Sequence, residues 1–157
     1  MNVKKIAADV VAALPADADF DDLDEFLFER AQVEKGREDF EVGRVLSTRE
    51  VLGETTGEVS TVVWAQTAAA AFRREVNDGH DQDTLVAAVA DVVSKLDRSK
   101  ESGITLPEMG DPSIRERHVR TPHVRYRALY DTQGSKHRVL WFTSNTTCYR
   151  NVRPDPS

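Results

Sequence analysis

The chain is 157 residues long, 39% hydrophobic and 31% charged, with a formal net charge of −6. That length and composition fit one globular domain, or a small domain with an appendage, and no uninterrupted apolar run is long enough to span a membrane. Charge is divided unevenly, since residues 1–57 hold seven Lys/Arg against fourteen Asp/Glu, a net −7, whereas residues 112–153 hold nine against two, a net +7. A basic surface suits an anionic partner, and an acidic segment on the same chain is suited to cover it.

At the N-terminus, Lys4 and Lys5 precede an apolar stretch, and Ala16-Asp17-Ala18 has the small-x-small form of a cleavage site. Asp9 interrupts that stretch, and Val3, Ile6, Val10 and Leu14 recur at helical spacing, so an amphipathic helix is expected rather than a secretory leader. The single cysteine, Cys148, cannot close an internal disulfide. A reducing, cytoplasmic setting is the expectation, and Asn145-Thr146-Thr147 is then a glycosylation sequon in form only.

After Pro15, the residues Leu23, Phe26, Leu27 and Ala31 repeat at three and four behind a cluster of acidic residues, predicting a helix that begins near Asp21. Gly36 weakens its continuation, Gly43 stops it, and Ser47-Thr48-Arg49-Glu50 is a capping box that opens a short helix through Leu52. Three short helices cannot bury Phe26, Phe28, Phe40 and Val51 among themselves. Residues 1–53 are therefore expected to fold against something else, with Leu23, Phe26, Leu27, Phe40 and Val51 as the contacts.

Residues 54–58 read as a linker at the polar Gly53–Gly57 boundary, and residues 59–153 as a second unit. Val59–Trp64 predicts a strand by its β-branched content, Ala68, Ala69, Phe72 and Val76 one face of a helix ended by Gly79. Asp83 caps a second helix carrying Leu85, Val86, Val89, Val92, Val93 and Leu96, closed by Gly103 and Pro107, and the two helices are expected to form a hairpin. From Ile114 the period becomes two. Ile114–Val119 predicts a strand, and Val124, Tyr126, Ala128 and Tyr130 alternate with Arg125, Arg127 and Leu129. A turn over Asp131–Ser135 leads to Val139, Trp141 and Thr143 alternating with Arg138, Leu140 and Phe142. The fold class is α+β: N-terminal helices, then β-α-α-β-β-β with an antiparallel sheet.

No dedicated enzyme motif appears. His80, His118, His123 and His137 lack metal-pair geometry and read as surface or packing residues, and Cys148 has no fixed His partner, so neither a metal nor a cofactor is expected. Arg125 and Arg127 share one face of a predicted strand whose other face offers Tyr126 and Tyr130. That face is either a solvated basic surface or a contact site for nucleic acid or an acidic protein, with Arg115, Arg117, Arg120, Arg125, Arg127, Arg138 and Arg150 as its cations.

Val63-Trp64 leading into Ala68–Phe72, Asp111-Pro112-Ser113-Ile114-Arg115-Glu116, and Tyr126-Arg127-Ala128-Leu129-Tyr130-Asp131 together resemble the RelE/ParE toxin superfamily of bacterial toxin–antitoxin modules, over about residues 58–150. Leu14-Pro15 before an acidic helix, Val33-Glu34-Lys35-Gly36-Arg37-Glu38-Asp39, Gly43-Arg44-Val45 and Ser47-Thr48-Arg49-Glu50-Val51 are similar to short antitoxins encoded beside such toxins. The resemblance implies a fusion of two normally separate chains, with the acidic segment neutralising a growth-inhibiting toxin domain.

RelE-like members cleave messenger RNA on the ribosome; ParE-like members poison DNA gyrase and are not enzymes. Under the first, the resemblance assigns catalysis to Arg127, Tyr149 and Arg138. Where the family carries a basic cluster after the last strand, this chain has Ser144-Asn145-Thr146-Thr147, leaving phosphate stabilisation to Arg127, Arg138 and Arg150 and favouring gyrase as target. A degenerate, non-toxic interaction protein is the alternative from another class. A five-residue linker reaches about 17 Å, so the acidic helices cover either their own toxin half or, by exchange in a homodimer, that of a second copy.

Overall fold

The computed structural model describes residues 2–53, 60–77, 82–98, 104–106, 109–122 and 125–144. The linker, Val59, Gly79, Gly103, Pro107 and Val124 lie outside these. Helix α1 (Val3–Ala13) is capped by the Asn2 side chain, which accepts from the Lys5 amide. Helix α2 (Phe20–Val42) opens with a reciprocal capping box between Asp19 and Asp22 and closes on Gly43 in the left-handed conformation at φ 81°. Gly36 does not interrupt it. Strand β1 (Val45–Ser47) follows, then the short helix α3 (Thr48–Leu52), capped by Ser47 with Glu50 as the capping-box reading requires.

Beyond the linker come β2 (Val62–Ala65), α4 (Gln66–Asn77), α5 (Gln82–Arg98), β3 (Ile104–Thr105), β4 (Arg115–Arg120), β5 (Arg125–Gln133) and β6 (Lys136–Ser144). The sheet order is β1-β2-β6-β5-β4-β3. The α+β expectation holds at that level, with differences in detail. The sheet is not wholly antiparallel, because β2 runs parallel to β6, pairing Val63 with Arg138. Between the two strands the chain passes through α4, α5, β3, β4 and β5, a long connection of the kind a parallel pair requires. The acidic segment adds a strand of its own, β1, antiparallel to β2 with Leu46 opposite Trp64.

Strands β5 and β6 run on to Gln133 and Lys136, so the turn narrows to Gly134 and Ser135, with Gly134 at φ 60°. Their register then slips. Leu129 opposes Trp141 while Tyr130 opposes Val139, so Leu140 is an extra residue and the period of two expected along β6 is broken there. The bulge lets Arg138 and Trp141, three positions apart, both meet α2, through Phe40 and Phe28 respectively.

The main core joins both halves. Val33 of α2 and Val51 of α3 are buried with Trp64, Phe72, Leu85, Leu96, Tyr126, Leu140 and Phe142. Phe142 stacks on Tyr126 with ring centroids 5.5 Å apart and meets Phe72 edge-on at 5.4 Å. A separate small cluster of Val10 and Phe26, flanked by Leu14, Leu23 and Leu27, holds α1 on α2. No helix among the described residues is long and apolar enough to cross a membrane.

Candidate functional site: the buried arginine between helix and sheet

Helix α2 lies across β6 because its residues 29, 33, 36 and 40 fall on one face at helical spacing. Gly36 permits the approach: a β-carbon there would lie 2.5 Å from the Leu140 carbonyl oxygen, at the bulge. One turn further on, the Phe40 ring receives the Arg138 guanidinium at 4.8 Å. Nearer the N-terminus of α2, the same face brings Glu29 to the sheet.

Glu29 meets Arg127 of β5. The guanidinium donates to both Glu29 oxygens, through Nη1 at 3.0 Å and Nη2 at 2.6 Å, and its Nε donates to Glu116 Oε2 of β4 at 2.9 Å. Arg127 is wholly buried, Glu29 3% exposed and Glu116 1%. His118 lies directly opposite Arg127 in the β4–β5 register, with its Nε2 3.1 Å from Glu116 Oε1. Burial pushes the Glu29 carboxyl up from 4.5 to about 7, although Arg127 pulls it down; Glu116 and Glu25 add to the rise. The Arg127 guanidinium thus sits between two buried carboxylates, where removing either sign is costly.

A second ionic cluster pins the middle of α2. Arg37 donates to Asp111 at 2.8 Å, Glu34 at 3.0 Å, Asp131 at 3.3 Å and the Ser113 hydroxyl at 2.9 Å. Arg138 is bidentate on Asp131, both bonds 2.7 Å, and Arg30 donates to the Met109 carbonyl. Burial would raise the Asp111 carboxyl, but hydrogen bonds from Ser113 and Arg37 prevail and hold it at about 2. Asp39 ends the row, accepting from the Thr67 amide at 2.8 Å and the Thr67 hydroxyl at 2.7 Å at the start of α4. Burial opposes its ionisation, yet the Thr67 and Arg44 bonds leave its pKa below the usual carboxylate range.

The expected contacts divide. Phe40 and Val51 pack on the main core, whereas Leu23, Phe26 and Leu27 belong to the α1–α2 cluster. The residues that do bring α2 to the sheet, Glu29, Val33, Gly36 and Arg37, and Asp39, which ties it to α4, were legible only in part, as the V-E-K-G-R-E-D stretch of the antitoxin-like pattern. Glu29 carries no signal of its own among so many acidic neighbours.

Of the predicted cations, Arg115, Arg117 and Arg125 are half-buried on β4 and β5 and Arg120 is exposed at the end of β4; Arg127 and Arg138 are drawn inward to acidic partners. Tyr149, Arg150, His80, His123 and Cys148 lie outside the described residues. Among the described residues no group of three or more side chains is placed to hold a metal ion. Comparison with protein-family models, curated proteins and solved structures finds no match to this chain.

Proposed function

We propose that the chain is a fused toxin–antitoxin protein, in which the acidic helix α2 neutralises a basic RelE/ParE-like half with DNA gyrase as the target placed ahead of ribosome-bound messenger RNA. The observation that carries this reading is Glu29 on Arg127. The arginine that the family resemblance singles out is held by a bidentate carboxylate from the acidic segment, 98 residues away in sequence. A guanidinium so engaged is withheld from any phosphate or protein acid.

Induction of residues 54–157 in bacteria tests the proposal. It should arrest growth where the full chain at equal soluble level does not, and Arg127→Ala in the shorter chain should relieve the arrest. DNA damage with intact transcripts then supports the gyrase target, and cuts inside translated codons the ribonuclease alternative.

A second reading has an observation of its own. Val33, Val51 and β1 belong to the same core and sheet as the basic half, which favours an α2 that never leaves and a non-toxic interaction protein. Harmless growth with both chains, at equal soluble levels, favours that reading.

A further inference from the structure

Close to Glu29, a cavity of about 290 Å³ opens between α2 and β6, lined by Asp24, Glu25, Phe28, Glu29, Trp141 and Thr143. Its aromatic walls are Phe28 and Trp141, edge to face with centroids 6.1 Å apart and planes at 81°. Phe28 is 57% exposed, unusual for a phenyl ring with a core beside it. Among the described residues two lining groups are unsatisfied: Glu25 Oε2 is a buried acceptor without a donor, and the Nε1–H of Trp141, a residue 6% exposed, is a buried donor without an acceptor. Each such vacancy is costly unless a partner arrives.

Glu29 is already engaged by Arg127, which leaves Asp24 and Glu25 as the acidic groups of the lining, with the Arg74 guanidinium 6.0 Å from the Trp141 centroid. A fitting ligand needs a flat cation to lie against aromatic walls and fork onto carboxylate oxygens, and an acceptor for the indole N–H. A guanidinium is planar, weakly hydrated and stacks on rings, whereas an ammonium is a hydrated point charge. The volume admits one arginine-sized group.

We propose that this cavity is a binding site for a small guanidinium compound bearing a carbonyl group. The cation engages Glu25 with Asp24 beside it, the chain lies along Phe28 and Trp141, and the carbonyl accepts from Trp141 Nε1. The proposal stands independently of the toxin–antitoxin reading.

The test is calorimetry and tryptophan fluorescence on the full chain with N-acetyl-argininamide, against N-acetyl-citrullinamide, its neutral counterpart of the same shape. Saturable binding with at least about a tenfold preference for the charged ligand is expected, since a charge-assisted bond is at stake. Glu25→Gln should weaken binding about tenfold, and Trp141→Phe, which keeps the wall and removes the N–H, about threefold. Should Glu25→Gln unfold, the exposed Asp24→Asn replaces it. No saturable signal up to about 10 mM ligand, equal binding of the citrulline compound, or wild-type affinity in folded variants overturns the proposal.

Discussion

Gly36 rests against the main chain of Leu140, and the space between them is smaller than one methyl group: a β-carbon on Gly36 would lie 2.5 Å from the Leu140 oxygen and 3.0 Å from its Cα. Because the opposing atoms are backbone, no side chain can swing aside. Gly36→Ala should therefore destabilise the protein by about 1–3 kcal/mol, against a gain of about 1 kcal/mol expected for the same change in an exposed helix. Urea unfolding measures it, and a stabilised variant would show that α2 does not lie this close to β6.

Arg127 joins Glu29 of α2 to Glu116 of β4 through one guanidinium. Replacement by Met fills much of the volume but leaves two buried carboxylates without the charge that neutralises them, at a cost of about 3–5 kcal/mol. Adding Glu29→Gln and Glu116→Gln should restore most of the loss. A triple variant no more stable than Arg127→Met would show that packing, and not charge, holds α2 at this point.

Glu29 also predicts a pH dependence. Its pKa is raised from 4.5 to about 7 in the folded protein, so the folded state holds the proton more tightly than the unfolded chain. The stability this group contributes is fully present below its unfolded value, falls as pH rises from about 4.5 to about 7, and is flat above that. The stability of the wild type relative to Glu29→Gln should decline across this window in a pH series of urea melts. A difference that grew with pH would contradict the burial of Glu29.

Asp111 works in the opposite sense. Its carboxyl is held at about 2, below the ordinary 3.8, so its contribution is present above the ordinary value and lost as pH falls through about 2. Asp111→Asn should destabilise at neutral pH, where Arg37 loses a charged partner, and make little difference in strong acid. Equal effects at both pH values would place Arg37 elsewhere.

The helices were legible because their signals are local. Asp19, Ser47 and Gly43 act through bonds within a few residues, and the stripes of α4 and α5 face a single core. Helix α2 read less well because it is apolar on two sides: Leu23, Phe26 and Leu27 look to α1, Val33 and Phe40 to the sheet core. A stripe of residues every three or four positions says that a face is buried, not what buries it. The bulge at Leu140, the parallel pairing of β2 with β6 and the three-residue β1 have no local signature, since each is decided by a partner far along the chain. Glu29 was missed for the same reason: its role is set by Arg127, and only the fold brings the two together.

The distance in sequence between Glu29 and Arg127 also fixes their order of appearance during synthesis. The Glu29 carboxylate comes first and the guanidinium 98 residues later, a lag of about 5–20 s at typical elongation rates. Strand β6, on which α2 comes to lie, is later still, so the α2 segment emerges with no sheet to dock on and waits beside the ribosome as an acidic stretch of chain. When β5 finally leaves the exit tunnel, its arginine meets a receptor already on the same nascent chain, and no completed basic half is ever released without the carboxylate that receives it.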